Sequence, residues 1–568
     1  MGSAKCVKKV LDYCSTVAGV NRFPRLFFPV PVPNLIDLIS GPSLLTESST
    51  LAVSHPSPGI PSLPTSRDSN AGEGVLCELG IEEDQGERYR VCPIFLSKIT
   101  EPGLAGPLHR RVTIKMLPDN VLIDIFEFYI MMDGTQGEDR WHTLVHVCRR
   151  WRLVVYASPH RLRLQLLCTQ KTPSRKALDV WPALPIIISG RGNPNSFVDG
   201  ADNIIAALER HNRVCHISLW DVPISVLESV GEAIQEPFPE LTYLELMPHD
   251  KRAPVLPDTF LGGSAPRLRT LWLDFIPFRA IRTLLVSAHD LVDLRLLNIP
   301  ESGYISPEAM VACVSVMTRL ETLNLGFHSP RSDSRRPPPM TRVDLPVLTQ
   351  LWYQGPSEYL DDFVARINAP QLLIIEIMFF NQLVFDISHL PQFFGRTEAF
   401  KALNQAYVVF HVDFVQLRLF FQIEGFVQSD LALGISCKEL DWQLSALEQL
   451  CGSSLPPLSA LERLDIKDGE YPRPRWQDDM ESAQWLEPFR PFSAVKKLYV
   501  SKELGLRVAR ALQEHTEERE IDVLPVLRNL FFGGFQPSGA VWEAIRPFAA
   551  ARQHSGHHVA IDRWEGGQ

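Results

Sequence analysis

The sequence predicts an α/β chain in which a short all-helical module precedes an irregular solenoid of repeated units carrying a curved parallel sheet. Three observations predict it. A leucine phrase recurs at near-constant intervals from residue 214 onwards, and segments of helical apolar spacing lie between several of its copies. Ahead of the first copy, two apolar stripes at helical spacing crowd residues 117–166.

The helical module comes first. Leu122, Ile125, Phe126 and Tyr129 fall at i, i+3, i+4 and i+7, one apolar stripe on a helix that Pro118 starts, where no N–H partner is needed. Gly134 and Gly137 interrupt it. Leu144, Val147, Cys148, Trp151 and Val155 then form a second stripe, with His142, Arg149, Arg150 and Arg152 opposite, until Ser158-Pro159 stops the helix. About fifty residues of this kind bury little surface alone, so the leftover apolar face is expected to dock on another helix or another protein.

Leu117-Pro118, Ile125-Phe126 and the run Val147-Cys148-Arg149-Arg150-Trp151-Arg152 resemble the F-box in order and approximate spacing. Many members carry Trp soon after the Ser-Pro, where this chain has Leu162. The resemblance implies a module that binds the small Skp-family adaptor of an SCF ubiquitin ligase, and through it a cullin scaffold. On that implication Leu117, Pro118, Leu122, Ile125, Phe126, Leu144, Val147, Cys148 and Trp151 are the adaptor-binding residues.

Residues 1–110 are expected to be a largely disordered extension. Ser, Pro, Thr and Gly dominate from Ser40 to Gly74, a composition that cannot bury enough apolar area to offset its lost entropy. A short helix from Val7 to Val17 is expected to fray. Met1-Gly2 does not predict myristoylation, since Cys6 stands where Ser or Thr is required. The module itself occupies 111–168, and a bridge follows over 169–200, in which Pro182 and Pro185 forbid a continuous helix and Ile186 to Ile188 read as a buried strand.

The repeats occupy 201–552. Asp202 to Arg210 reads as helical; the phrase then starts at Val214, Leu241, Leu268, Leu291, Leu320, Leu348 and Leu372, so successive starts lie 27, 27, 23, 29, 28 and 24 residues apart. Leucine-rich repeats run at about 20 to 29 residues per unit. Each copy is expected to be a strand with its leucines in a shared core, followed by a return segment, helical over Ser225 to Gln235, Phe278 to Ser287, Pro307 to Met317 and Glu358 to Ile367. The Asn or Cys common after the phrase is missing, which predicts irregular curvature. From Phe379 to Gly452 the phrase blurs, with strands expected at Tyr407 to Val412 and Leu417 to Ile423 and a helix at Gln443 to Leu450, as degenerate units. Clear copies return at Leu461, Val495 and Leu527, and 553–568 reads as a polar tail that caps the array or frays. The bridge WPALPIII, the phrase ISPEAM, the insert SPRSDSRRPPP and the late WLEPFRPFSAVKKLYVS are together similar to a large group of F-box proteins from mushroom-forming fungi, over residues 117–568.

Strand alternation turns the side chains between the inward leucines to the other side of the sheet. His216, Tyr243, Glu245, Trp272, Asp274, Arg295, Asn324, Trp352 and Gln354 are therefore expected to line one face and bind a target protein, unless the rings pack on one another. The insert from His328 to Val343, with Arg331, Arg335, Arg336 and Arg342, reads as a solvated loop.

Composition excludes several classes. A net charge of -10 argues against nucleic-acid binding, which needs a basic surface. The ten cysteines show no C-x-x-C pair or zinc spacing, which fits reduced thiols in an intracellular compartment, cytoplasmic or nuclear. The most apolar approach to a membrane span, Phe23 to Ile39, is broken by four prolines. Phosphate-loop, nucleophile-elbow and dinucleotide motifs are missing from the sequence, so no catalysis and no cofactor is expected. His142 and His146 have zincin spacing with Thr143 in place of the base, and His554, His557 and His558 lack a carboxylate or thiol nearby, so no metal is expected either. The expected function is the substrate-receptor subunit of an SCF-type ubiquitin ligase; the alternative is a leucine-rich-repeat interaction scaffold outside any ubiquitin ligase.

Overall fold

The structure, a computed structural model, describes residues 116–131, 140–191, 194–254, 256–277, 281–329, 341–380, 387–423, 426–437, 440–452, 458–469, 485–518 and 523–564. All of these belong to the unit spanning 108–568. The expected N-terminal extension, its linker and its short helix lie outside the described residues, as does most of the arginine-rich insert.

Three helices open the described chain: α1 (Asp119–Met131), α2 (Arg140–Val147) and α3 (Arg149–Ala157). Pro118 starts α1 as its sequence position requires, its carbonyl accepting from the N–H groups of Val121 and Leu122. The second stripe is not one helix. Cys148 takes extended backbone (φ -162°) and its thiol accepts from the Trp151 N–H at 3.5 Å, which ends α2 and caps α3. Leu122 and Phe126 meet Trp141, Leu144, Val145, Val154 and Val155 in a small core that Leu162, Leu164 and Leu184 complete. The Trp141 indole N–H donates to the Gln165 carbonyl at 2.9 Å.

The rest is mixed α/β, built on a 16-stranded, mostly parallel sheet. Its first nine strands in spatial order are β1 (Leu166–Cys168), β2 (Ile186–Gly190), β3 (Val214–Val222), β4 (Tyr243–Pro248), β5 (Thr270–Asp274), β6 (Asp293–Ile299), β7 (Thr322–Phe327), β9 (Gln350–Gly355) and β11 (Ile374–Phe379). Two short segments, β8 (Val343–Asp344) and β10 (Ile367–Asn368), pair separately. Thus the sheet begins inside the segment expected to be purely helical and runs through the expected bridge.

Helices return the chain between strands: α4 (Ser174–Val180), α5 (Pro194–Leu208), α6 (Ile224–Ala233), α7 (Arg282–Ser287), α8 (Pro307–Val314), α9 (Ser357–Ala365) and α10 (Leu390–Arg396). Four of these, α6 to α9, occupy the stretches whose spacing predicts helix, and α5 overlaps the helix expected from Asp202 to Arg210 while starting earlier. Ser306 caps α8, accepting from the Ala309 N–H with Pro307 in the first turn.

The blurred region departs from the expected degenerate units. It holds β12 (Gln405–Phe410), β13 (Phe414–Ile423) and β14 (Phe426–Ser436), and the spatial order there is β11-β14-β13-β12-β15. Strand β13 is antiparallel to both neighbours, while β14 and β12 run parallel to β11 and to β15 (Arg463–Asp468). Beyond α11 (Leu440–Gly452), the strands β15, β16 (Lys497–Val500), β17 (Asn529–Gly533) and β18 (Ala560–Trp564) resume in order, with α12 (Lys502–Glu518) and α13 (Ala540–His554) between them. The polar tail from 553 is therefore in part the last strand, paired to β17.

The leucines form columns across the strands. One runs Leu244, Leu271, Leu294, Leu323, Leu351, Ile375, Leu431, Leu419, Ala406, Leu464, Leu498 and Leu530, each in register with the next. Every member is buried, and the helices cover this side in one continuous core. At about 25 cal/mol per Å² of apolar surface, that column and its neighbour two residues on are the main stabilising contribution.

Candidate functional site

Two surfaces remain after the core is formed. The first is the sheet face opposite the leucine columns. Register places His216 beside Tyr243, and Glu245, Trp272, Arg295, Asn324 and Trp352 in one row across β4 to β9. All nine residues expected on this face belong to these strands, with Asp274 and Gln354 closing their rows near the strand ends.

The side chains there pack on one another. The His216 ring stacks on Tyr243 at 4.2 Å, and burial lowers its tendency to protonate. Ser218 and Tyr243 hydroxyls both donate to Glu245 Oε2, at 2.8 and 3.0 Å. Glu245 is only 2% exposed, so it is a buried anchor rather than a surface contact, and so is Asp274 at 7%. The other Glu245 oxygen and the Trp272 indole N–H are buried with no partner. Arg295 lies over the Trp272 ring at 4.9 Å while pairing with Asp293. The Trp352 ring lies against Gly326, where a Cβ would come within 2.9 Å of it, so the close approach requires glycine.

The face continues beyond the nine residues expected on it. Glu376, Arg418, Tyr407, Asp465, Tyr499 and Phe531 extend the same sheet face. Arg418 pairs with Asp430, and burial pushes the Glu376 carboxyl up while the Arg418 charge opposes the shift. Asp465 is wholly buried and accepts two hydrogen bonds from Arg463, at 2.7 and 3.0 Å. Arg463 also sits 4.3 Å over the Tyr499 ring. The alternation that selects Glu245 and Trp272 selects Glu376, Asp465, Tyr499 and Phe531 as well when applied to the copies at Leu372, Leu461, Val495 and Leu527, whereas Tyr407 and Arg418 lie where the phrase blurs.

The second surface is the outside of α1 to α3. Of the nine residues expected to bind a partner there, Leu122, Phe126 and Leu144 are buried at 0%, 0% and 5% exposure and hold the module together. Trp151 packs on Phe126, ring centroids 4.7 Å apart, and Leu117 is half-buried. Pro118, Ile125, Val147 and Cys148 are exposed. Exposed with them are Met116, Phe128, Tyr129 and Leu153, of which Met116, Phe128 and Leu153 belong to neither predicted stripe. Ile125 and Phe128, three residues apart, share one flank of α1, and Tyr129 stands at the border of the 122, 126 flank that faces the core.

Among the described residues no group of three His, Cys, Asp or Glu is placed to hold a metal ion, and no helix is long and apolar enough to cross a membrane. His142 and His146 turn their rings to Trp181, at 4.8 and 6.2 Å. No family model matches the chain, and no curated protein matches it.

Proposed function

We propose that the chain is a two-surface interaction protein, one surface helical and apolar, the other the polar and aromatic face of a repeat solenoid. More particularly, we read it as a non-catalytic substrate receptor of an SCF-type ubiquitin ligase, working in the cytoplasm or nucleus. The helical module, which resembles the F-box, binds a Skp-family adaptor and through it a cullin scaffold; the leucine-rich-repeat-like sheet face binds a target protein. Ubiquitin transfer then gains from proximity alone, which makes an encounter nearly intramolecular.

One observation carries the reading. Of the fourteen exposed large apolar side chains among the described residues, six lie between Met116 and Leu153. Exposed apolar side chains concentrated on so small a helical module are what a docking surface needs. The adaptor surface is accordingly Met116, Pro118, Ile125, Phe128, Tyr129, Val147 and Leu153, with Leu122, Phe126 and Leu144 beneath it.

The test is co-elution of a purified Skp-family adaptor with the full chain. Burying one such side chain is worth about 1.5–3 kcal/mol, so Ile125→Asp with Leu153→Asp should weaken binding by more than about tenfold. Both side chains are exposed, so thermal unfolding should be unchanged. Retention of the adaptor by a folded double variant would sink the proposal. A scaffold outside any ubiquitin ligase is the second reading, favoured by the closure of the module's core on Trp181 and Leu184 of the bridge, as a terminal cap would do; it expects no adaptor with the unaltered chain.

A further inference from the structure

At the first residues of β12, β15 and β16 lies a cavity of about 230 Å³ lined by Asn404, Gln405, Glu462, Arg463, Lys496 and Lys497. Arg528 stands beside it, its backbone N–H donating to the Lys496 carbonyl at 2.9 Å. Four cations thus meet in one place on a chain whose net charge is -10. Two are already matched: Lys496 bonds Glu462 at 2.5 Å, and Arg463 is clamped to the buried Asp465. Lys497 and Arg528 are exposed, and no carboxylate among the described residues pairs with either.

The surplus is felt by the acid at the rim. The Glu462 carboxyl is held below the usual range by its hydrogen bond from Lys496, and then by the charges of Lys496, Lys497 and Arg528. A different kind of group is missing a partner as well. Asn404 is fixed by its backbone, its N–H donating to the Phe420 carbonyl at 3.4 Å and its carbonyl accepting from the Glu462 N–H at 3.1 Å. Yet its side-chain oxygen is buried with no donor among the described residues, an unfavourable state for a polar atom.

Two unmatched cations ask for two negative charges, and an unmatched acceptor asks for a proton on the same ligand. We propose that this cavity is a phosphate site, with Lys497 and Arg528 matching the charge and Asn404 Oδ1 accepting the P–OH proton. Hydrogenphosphate carries both at neutral pH, whereas a phosphate monoester does not: its monoanion keeps the proton with a single charge and its dianion has two charges without the proton. Sulfate carries the charge without the proton. The inference stands on the cavity alone and does not rest on the adaptor reading.

Isothermal titration of the full chain, at fixed ionic strength because the cations are exposed to screening, tests it with inorganic phosphate and with sulfate. Phosphate should saturate one site, with sulfate bound at least about tenfold more weakly, the worth of one good hydrogen bond to a charged group. Lys497→Gln with Arg528→Gln should reduce phosphate binding by at least about tenfold and leave thermal unfolding without phosphate unchanged, both residues being exposed. O-phosphoserine separates the sources: having no ionisation state with both the two charges and the proton, it should compete with phosphate at least about tenfold more weakly, and equal competition would assign the site to a phosphorylated group and overturn the hydrogen bond to Asn404. No saturation by phosphate, sulfate bound equally well, or full binding by the double variant would overturn the proposal.

Discussion

Glu245, Asp274 and Asp465 are buried on one face of the sheet, yet their surroundings differ in a way that sets their energies apart. Asp465 is neutralised by a two-pronged Arg463, and Glu245 accepts from two hydroxyls. Asp274 has the Asn298 amide, donating to Oδ1 at 2.7 Å, the backbone of Phe275 and the more distant charge of Lys251 against the desolvation, and burial still pushes its carboxyl up to about 6. The sign follows from linkage. A carboxyl raised in the folded state contributes its full share of stability below its unfolded pKa, and that share is lost as pH rises through about 6. A shift of about two units corresponds to at most about 3 kcal/mol. Asp274→Asn keeps an acceptor for Asn298 and carries no charge to desolvate. Its stability relative to the unaltered chain, from urea unfolding, should rise by up to about 3 kcal/mol between about pH 4 and about pH 7.5. A difference that stays flat across that range would show that the carboxylate is not strained by its burial.

Elements were legible where one signal sufficed and obscure where two competed. The apolar spacing places α1, and Ser158-Pro159 marks the end of α3, but it does not reveal the break at Cys148, because a thiol is a weak cap and the stripe runs on through it. The break has a testable energy. Cys148 holds the Trp151 N–H with a long sulfur contact, and a serine hydroxyl bonds the same N–H better. Cys148→Ser should therefore raise stability by about 0.5–1 kcal/mol, seen as a higher thermal midpoint; a lower midpoint would mean that the exposed thiol packs rather than caps. Two late helices, α12 and α13, differ in how far the sequence announces them. Leu504, Val508 and Leu512 of α12 are buried at i, i+4 and i+8, a pattern readable in the sequence, whereas α13 carries Pro547 in its interior, which argues against a helix. The exposed apolar set of the helical module was half legible for the same geometric reason: spacing defines a stripe but does not say which of its members turn inward.

Across the whole described molecule, leucine alternation foretold a parallel sheet but not the reversal at β13. A column asks only for an apolar residue at each crossing, and that demand is blind to strand direction, so Leu419 and Ala406 continue the column from Leu431 to Leu464. Direction was written instead in the connections. Three residues separate β12 from β13, and only Glu424 and Gly425 separate β13 from β14, whereas a parallel crossover needs about a dozen or more. The reversal also makes β13 the link through which β14, on the β11 side, reaches β12, on the β15 side. In a sheet where each strand touches only its neighbours, stability is a sum of local terms, and damage at one strand need not travel. Leu419→Asp buries an unpaired charge at a wholly buried position of β13, a loss of several kcal/mol. Hydrogen exchange in increasing urea should then show β15 to β18, the shorter array, opening at lower denaturant than in the unaltered chain, while β3 to β7 keep their protection. Loss of protection in all of these strands at one denaturant concentration would mean that the helical layer binds the two arrays into a single cooperative unit despite the reversed strand between them.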